Sequence, residues 1–202
     1  MSDWFGRPRP FDWTVTPVRD VYENPWLHVS LHDVVMPGNV QRTYTLLHMK
    51  KRAVGVVALD AEGWTWLVGQ QRFPFRAWSW EVPEGGVEPG EDLLAAAQRE
   101  LAEEVGVTCA TWREVMTLHL SNMICDETAT GFLATGAVPG KAAPEESEQL
   151  EVQHLPFAEV AERVLDGSIK DAITVALVLK LQAMARRGMF EPWVNRALTG
   201  QV

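Results

Sequence analysis

From Arg99 to Gly106 the chain reads RELAEEVG, which gathers Glu100, Glu103 and Glu104 into one short segment beside Arg99. Carboxylates at i, i+3 and i+4 share one face of a helix, since successive residues advance by about 100°. Leu94, Ala97, Leu101 and Val105 make a separate apolar stripe able to pack on a sheet. Like charges so placed cost roughly a few tenths of a kcal/mol per pair, and a solvated face would more cheaply interleave lysines. Arg99 is instead the only basic residue between positions 77 and 112. A hard divalent cation among the oxygens would remove the repulsion, because Mg²⁺ takes one or two carboxylates together with waters and substrate phosphates. Helical geometry alone fits a metal site and a plain acidic face equally well.

The elements that must position these acids follow from turn signals and periodicity. A short strand at 78–82, WSWEV, enters the glycine-containing loop PEGGVEPG. The helix begins near Glu91 and Asp92, acids suited to a helix N-terminus, and ends at Gly106. Alternating apolar and polar residues over 13–49, with a turn at Pro37-Gly38-Asn39, predict antiparallel strands. Residues 53–73 predict two strands around DAEG, and further strands are expected near 112–120, 129–136 and 148–155. Helices are expected from Pro156 to Gly167 and over 171–188, the second apolar on most sides and therefore buried. The organisation predicted is an N-terminal strand region at 1–49, which opens with a loose arm, a mixed α+β domain at 50–188, and a peripheral tail at 189–202. Trp64, Trp66, Trp78 and Trp80 alternate along strands and read as structural.

Composition narrows the function classes. The 202 residues are 47% hydrophobic and 22% charged, as in globular proteins. No apolar run reaches the roughly 18 residues of a membrane span, and MSDWFGRPRPFDW has no apolar core for a secretory signal. Cys109 and Cys125 lack metal-ligand spacing, so a reduced cytoplasm is expected. The net charge of −9 repels nucleic acid and anionic membranes alike. Such a chain can still take an anionic substrate if a bound cation inverts the local field.

Read from Gly85, the segment GGVEPGEDLLAAAQRELAEEVGV resembles the Nudix box at every constrained position: Gly85, Glu91, Arg99, Glu100, Leu101, Glu103, Glu104, Gly106 and Val107. The similarity extends over about residues 50–185, through VGQQRFPF, WEVPEGG, LHLSNMICDETATGFLATG and LDGSIKDAITVALVL. These stretches look like the branch that hydrolyses ADP-ribose and other nucleoside diphosphate sugars. The N-terminal strands resemble, more loosely, the sheet through which that branch forms homodimers.

The resemblance implies an α+β Nudix fold, a mixed sheet between helices, with an N-terminal antiparallel strand extension. It implies Mg²⁺, with Mn²⁺ as a substitute, held by Glu100 and Glu104, by Glu103 directly or through water, and by the backbone carbonyl of Glu84. Arg99 would orient the box carboxylates. Glu127, in ICDET, is the candidate base, with Glu103 as its rival; the bland alternative for Glu127 is a turn cap. Arg72 is a candidate phosphate or ribose contact, and Trp26 a candidate surface for stacking a nucleobase across a dimer interface.

One departure bears on specificity. Many ADP-ribose pyrophosphatases carry a proline after the box, where this chain has Asn122 and Met123. That leaves ADP-glucose or GDP-mannose open beside ADP-ribose. Two alternatives stand beside the diphosphate-sugar hydrolase. One is cleavage of nucleoside triphosphates or dinucleoside polyphosphates, disfavoured by the extra strands. The other is a non-catalytic nucleotide sensor, which has no need of the intact glutamates. RNA decapping is disfavoured by the acidic charge.

Overall fold

The structure is a computed structural model, and it describes residues 10–143 and 149–201. The expected N-terminal arm lies largely outside the described residues. The chain divides into two compact units, one of residues 1–50 with 121–126, the other of 51–120 with 127–202.

The first unit is an antiparallel meander of β1 (Thr14–Glu23), β2 (Leu27–Met36) and β3 (Val40–Met49), in that order. The expected turn joins β2 to β3, with Gly38 and Asn39 at φ values of 78° and 60°. Glycine and asparagine are the residues that take this left-handed conformation most readily. Residues 121–126 lie along β3: the Leu47 N–H donates to the Ile124 carbonyl at 2.8 Å, and the Asp126 N–H donates to the Leu47 carbonyl at 3.2 Å. Asp126 is held further by the Met49 N–H at 2.9 Å and by His48 Nδ1 at 2.8 Å.

The second unit contains two sheets. In the mixed one the order is β7 (Glu84–Gly86), β4 (Ala53–Leu59), β9 (Thr128–Pro139), β8 (Val107–His119), with β4 and β9 parallel and the other pairs antiparallel. The other sheet runs β10 (Glu151–Pro156), β5 (Trp64–Arg72), β6 (Ala77–Glu81). Strand alternation sends β4 side chains to opposite faces. Val54, Val56 and Ala58 join Ala96, Ala97 and Leu101 of helix α1 (Leu93–Val105). Val57 and Leu59 join the helices of the other face, α2 (Phe157–Leu165), α3 (Ala172–Ala185) and α4 (Pro192–Thr199). The mixed sheet thus lies between helices, as expected.

Two glycines let α3 press on that sheet. A Cβ on Gly55 would stand 2.6 Å from Ile173 Cγ2, and one on Gly131 would stand 2.9 Å from Leu177 Cδ1. The predicted buried helix is therefore α3, which buries Ile173, Thr174, Leu177, Val178, Leu181 and Ala185.

The tail expected over 189–202 is corrected. Residues Pro192–Thr199 form α4, whose Val194 and Leu198 are buried in the core with α2 and α3. Pro192 sits at the first turn and Gly200 closes the helix in left-handed geometry. The helix is only eight residues long, about two turns, which is shorter than the window over which apolar periodicity marks a core helix.

Candidate functional site

Helix α1 carries the acidic cluster, and its ends are fixed by sequence. Asp92 caps it by accepting from the N–H groups of Leu94 and Ala95, and Gly106 ends it at a φ of 69°. A side chain at Gly106 would also meet Ala142 N at 2.4 Å, so glycine is required there twice over. The loop ahead of the helix is anchored by β7, where Glu84, Gly85 and Gly86 pair with Gly55, Val54 and Ala53 of β4.

Arg99 ties helix and loop together. Its Nε and Nη2 donate to the two oxygens of Glu91 at 2.9 Å each, and Nη2 also donates to the Gly86 carbonyl at 2.9 Å. Nη1 donates to Glu100 at 2.8 Å and to Glu103 at 3.0 Å. This forked pairing fixes the planes of three carboxylates at once. It also draws the Glu91 carboxyl down to about 2, first through Arg99 and then through the Glu88 N–H. The guanidinium is raised in turn, chiefly by Glu91. The sequence assigned Arg99 to the box acids but gave Glu91 only a helix-terminus role. The signal was present, because Glu91 occupies a constrained position of the motif.

The remaining box acid is not on a solvated face. Glu104 is 3% exposed, and its Oε2 accepts the Glu84 N–H at 3.0 Å. Gly85 lies against Glu100 so closely that a Cβ there would stand 2.2 Å from the Glu100 carboxyl carbon. The bare glycine leaves room only for the carboxylate.

Glu127 immediately precedes β9, and its carbonyl accepts the Leu120 N–H at 3.1 Å. Strand register places it: Ala53 pairs with Ala129 on one side and with Gly86 on the other. The start of β9 and the loop that leads into α1 therefore share one end of the mixed sheet. Trp26 belongs to the first unit, where it is 67% exposed in the turn before β2.

Comparison with known proteins agrees with this frame. Residues 49–175 match the NUDIX domain. The chain belongs to the Nudix family. It is 35% identical over 153 residues to an ADP-ribose pyrophosphatase of Mycobacterium tuberculosis, covering 71% of this chain and 73% of that protein. It is 31% identical over 152 residues to a CMP-5'-(N-acetyl-N-hydroxy-3-aminopropyl)phosphonate hydrolase of Streptomyces rubellomurinus, covering 74% and 72%. The fold is shared with an ADP compounds hydrolase crystal structure at a TM-score of 0.79 and 20% identity, over 90% of this chain and 98% of that one.

A second acidic group lies just ahead of the Nudix box. Arg72, at the end of β5, donates from Nε to Glu81 Oε1 at 2.9 Å and from Nη2 to Glu81 Oε2, and Nη2 also reaches Glu84 Oε1 at 3.3 Å. The expected substrate contact is thus engaged with two acids of its own unit, while 38% of its side chain stays exposed. Asp171, which caps α3 through the Thr174 N–H at 2.7 Å, offers an oxygen within 4.8 Å of those of Glu81 and Glu84. Burial first, then Asp171 and Glu81, push the Glu84 carboxyl well above its ordinary range, against the pull of Arg72. Glu81 and Asp171 were not singled out as site residues from sequence, because their grouping requires β6 and α3 to converge.

Proposed function

We propose that this Nudix protein hydrolyses the diphosphate bond of ADP-ribose or a related nucleoside diphosphate sugar, giving a nucleoside monophosphate and a sugar phosphate. The observation that carries the proposal is an intact box, with Glu91, Glu100 and Glu103 gathered by Arg99, in a chain similar over 71% of its length to an ADP-ribose pyrophosphatase. The donor set fits a hard divalent cation: Glu100, Glu103 and Glu104 supply carboxylate oxygens, and a Gly85 side chain would fill the space at Glu100. Those glutamates and the Glu84 carbonyl would hold Mg²⁺, or Mn²⁺ in its place. Such an ion neutralises phosphate oxygens and lowers the pKa of water bound to it.

The chain's own residues do the rest. Arg99 keeps Glu100 and Glu103 aligned before any ligand arrives, so little reorganisation is needed during reaction. Glu127 accepts a proton from the attacking water or orients it, and Glu103 is the rival for that task. Arg72 grips a phosphate or ribose, and Trp26 stacks on the base. The β1 strand is exposed along all ten residues, with Val15, Val18 and Val21 uncovered, which supports a homodimer formed through the N-terminal strands. Among the described residues no helix is long and apolar enough to cross a membrane. Cys109 and Cys125 are thiols, which suits a cytoplasmic setting.

A cytidine-linked phosphonate is the second reading, favoured by the similarity to the Streptomyces hydrolase. The test is phosphate release, coupled to a phosphatase, from ADP-ribose, ADP-glucose, UDP-glucose, GDP-mannose, a diadenosine polyphosphate and nucleoside triphosphates, with direct chromatography for a CMP-phosphonate. Metal-dependent turnover of a diphosphate sugar is expected. No turnover of any of these by folded, Mg²⁺-supplied protein would favour a nucleotide sensor instead.

A further inference from the structure

Glu84 serves two neighbourhoods. Its backbone N–H belongs to the box, donating to Glu104. Its side chain, 10% exposed, joins Glu81 and Asp171. Ion pairing with Arg72 completes Glu81, both of whose oxygens accept from the guanidinium. It does not complete Glu84. Oε1 receives one long contact at 3.3 Å, and Oε2 is buried with no hydrogen-bond partner among the described residues. Buried polar atoms are nearly always paired, so such an orphan calls for an explanation.

The charge around it is lopsided. With all three acids ionised, three carboxylates and one guanidinium would leave 1 − 3 = −2, which one divalent cation would cancel. One oxygen from each acid already lies within 4.8 Å of the others, which is within the span of the donors around a six- or seven-coordinate ion. All are hard oxygen donors, which favour Mg²⁺ or Mn²⁺ over softer metals.

We propose that Glu81, Glu84 and Asp171 hold a divalent cation at a position separate from the box glutamates. The ion gives the Glu84 carboxylate a partner beyond its single long contact with Arg72. Because the Glu84 N–H holds Glu104, filling this position also steadies one carboxylate of the box. The proposal does not depend on the hydrolase reading, since binding here requires no turnover.

The experiment counts bound Mn²⁺ on the full chain by electron paramagnetic resonance of the free ion. It compares wild type with Glu84→Gln, Asp171→Asn and Glu104→Gln, with circular dichroism confirming the fold of each. Asparagine still caps a helix, so Asp171→Asn keeps the start of α3. Glu84→Gln and Asp171→Asn are expected to bind one ion fewer than wild type, or to bind it about tenfold or more weakly. Glu104→Gln should weaken the box ion and keep the Glu84 ion. Wild-type stoichiometry and affinity in both Glu84→Gln and Asp171→Asn would overturn the proposal and leave Glu84 as a neutral carboxylic acid. If Glu84→Gln does not fold, Asp171→Asn decides alone. Unchanged Mn²⁺ binding in Glu104→Gln alone would count against the box assignment and leave this one standing.

Discussion

Two arginines each gather carboxylates in the second unit, and they do so to opposite effect. Arg99 itself is 30% exposed and two of its acids still meet solvent, Glu91 and Glu103 having side chains 18% and 38% exposed. There the guanidinium holds Glu91 ionised, drawing it down to about 2. Arg72 lies against Glu81 and Glu84, whose side chains are only 2% and 10% exposed. One guanidinium cannot hold that group fully charged, and Glu84 rises instead. The same residue types give a rigid, ionised rail in one place and an unbalanced pocket in the other. Burial decides which.

The comparison breaks most easily at Glu104, which stands on the helix of the first group and accepts from the backbone of Glu84 in the second. Glu104→Gln keeps an acceptor for the Glu84 N–H but removes a charge that the proposed function assigns to a cation. Turnover should fall by at least on the order of a hundredfold, the scale of losing one group that stabilises developing charge. Equal turnover of wild type and variant in a steady-state assay would remove Glu104 from the chemistry.

A smaller effect is expected from Gly85→Ala. The new methyl group would press on the Glu100 carboxylate, and the strain should cost about 1–3 kcal/mol, read as a lowered urea midpoint. Mn²⁺ affinity should drop with it. A variant as stable as wild type, with unchanged metal binding, would show that Glu100 can move aside freely.

The pH dependence of stability sharpens the contrast further, because the two groups have opposite signs. Glu91 has a folded-state value below its ordinary 4.5, so its contribution is present above 4.5 and lost as pH falls toward about 2. Glu84 is raised, so the folded state keeps its proton longer than the unfolded chain. Stability should therefore decline as pH climbs above 4.5 toward the folded value of Glu84. In chelator, Glu91→Gln should flatten the acid limb of the melting-temperature profile. Glu84→Gln should flatten the opposite limb and raise the midpoint by on the order of a few degrees at neutral pH. Identical profiles for the two variants would mean that burial does not separate the groups.

Legibility in the sequence follows the same division. The Arg99 group sits on one helix and its preceding loop, so a fixed spacing records it: the helix start at Asp92, the end at Gly106 and every acid could be read in order. The Arg72 group draws on β5, β6, β7 and the start of α3, residues 72 to 171 in sequence, and no local period encodes that convergence. Length explains α4, since eight residues give barely two turns of pattern. Its two core residues, Val194 and Leu198, gain meaning only once α2 and α3 are in place beside them. The strands and the buried helix α3 were legible because alternation and continuous apolarity are local patterns.

Residues 121–126 belong to the first unit, although β8 and β9 on either side belong to the second. The polypeptide therefore crosses between units at 50/51, 120/121 and 126/127, so the units are threaded together rather than appended end to end. Removing residues 1–49 would not yield a clean catalytic fragment. It would strip the loop of Leu47, His48 and Met49, the backbone and side-chain partners that hold Asp126 one residue ahead of Glu127. For anyone grafting, permuting or minimising this protein, the N-terminal sheet is part of the frame that holds the loop, and the two must be transplanted as one piece.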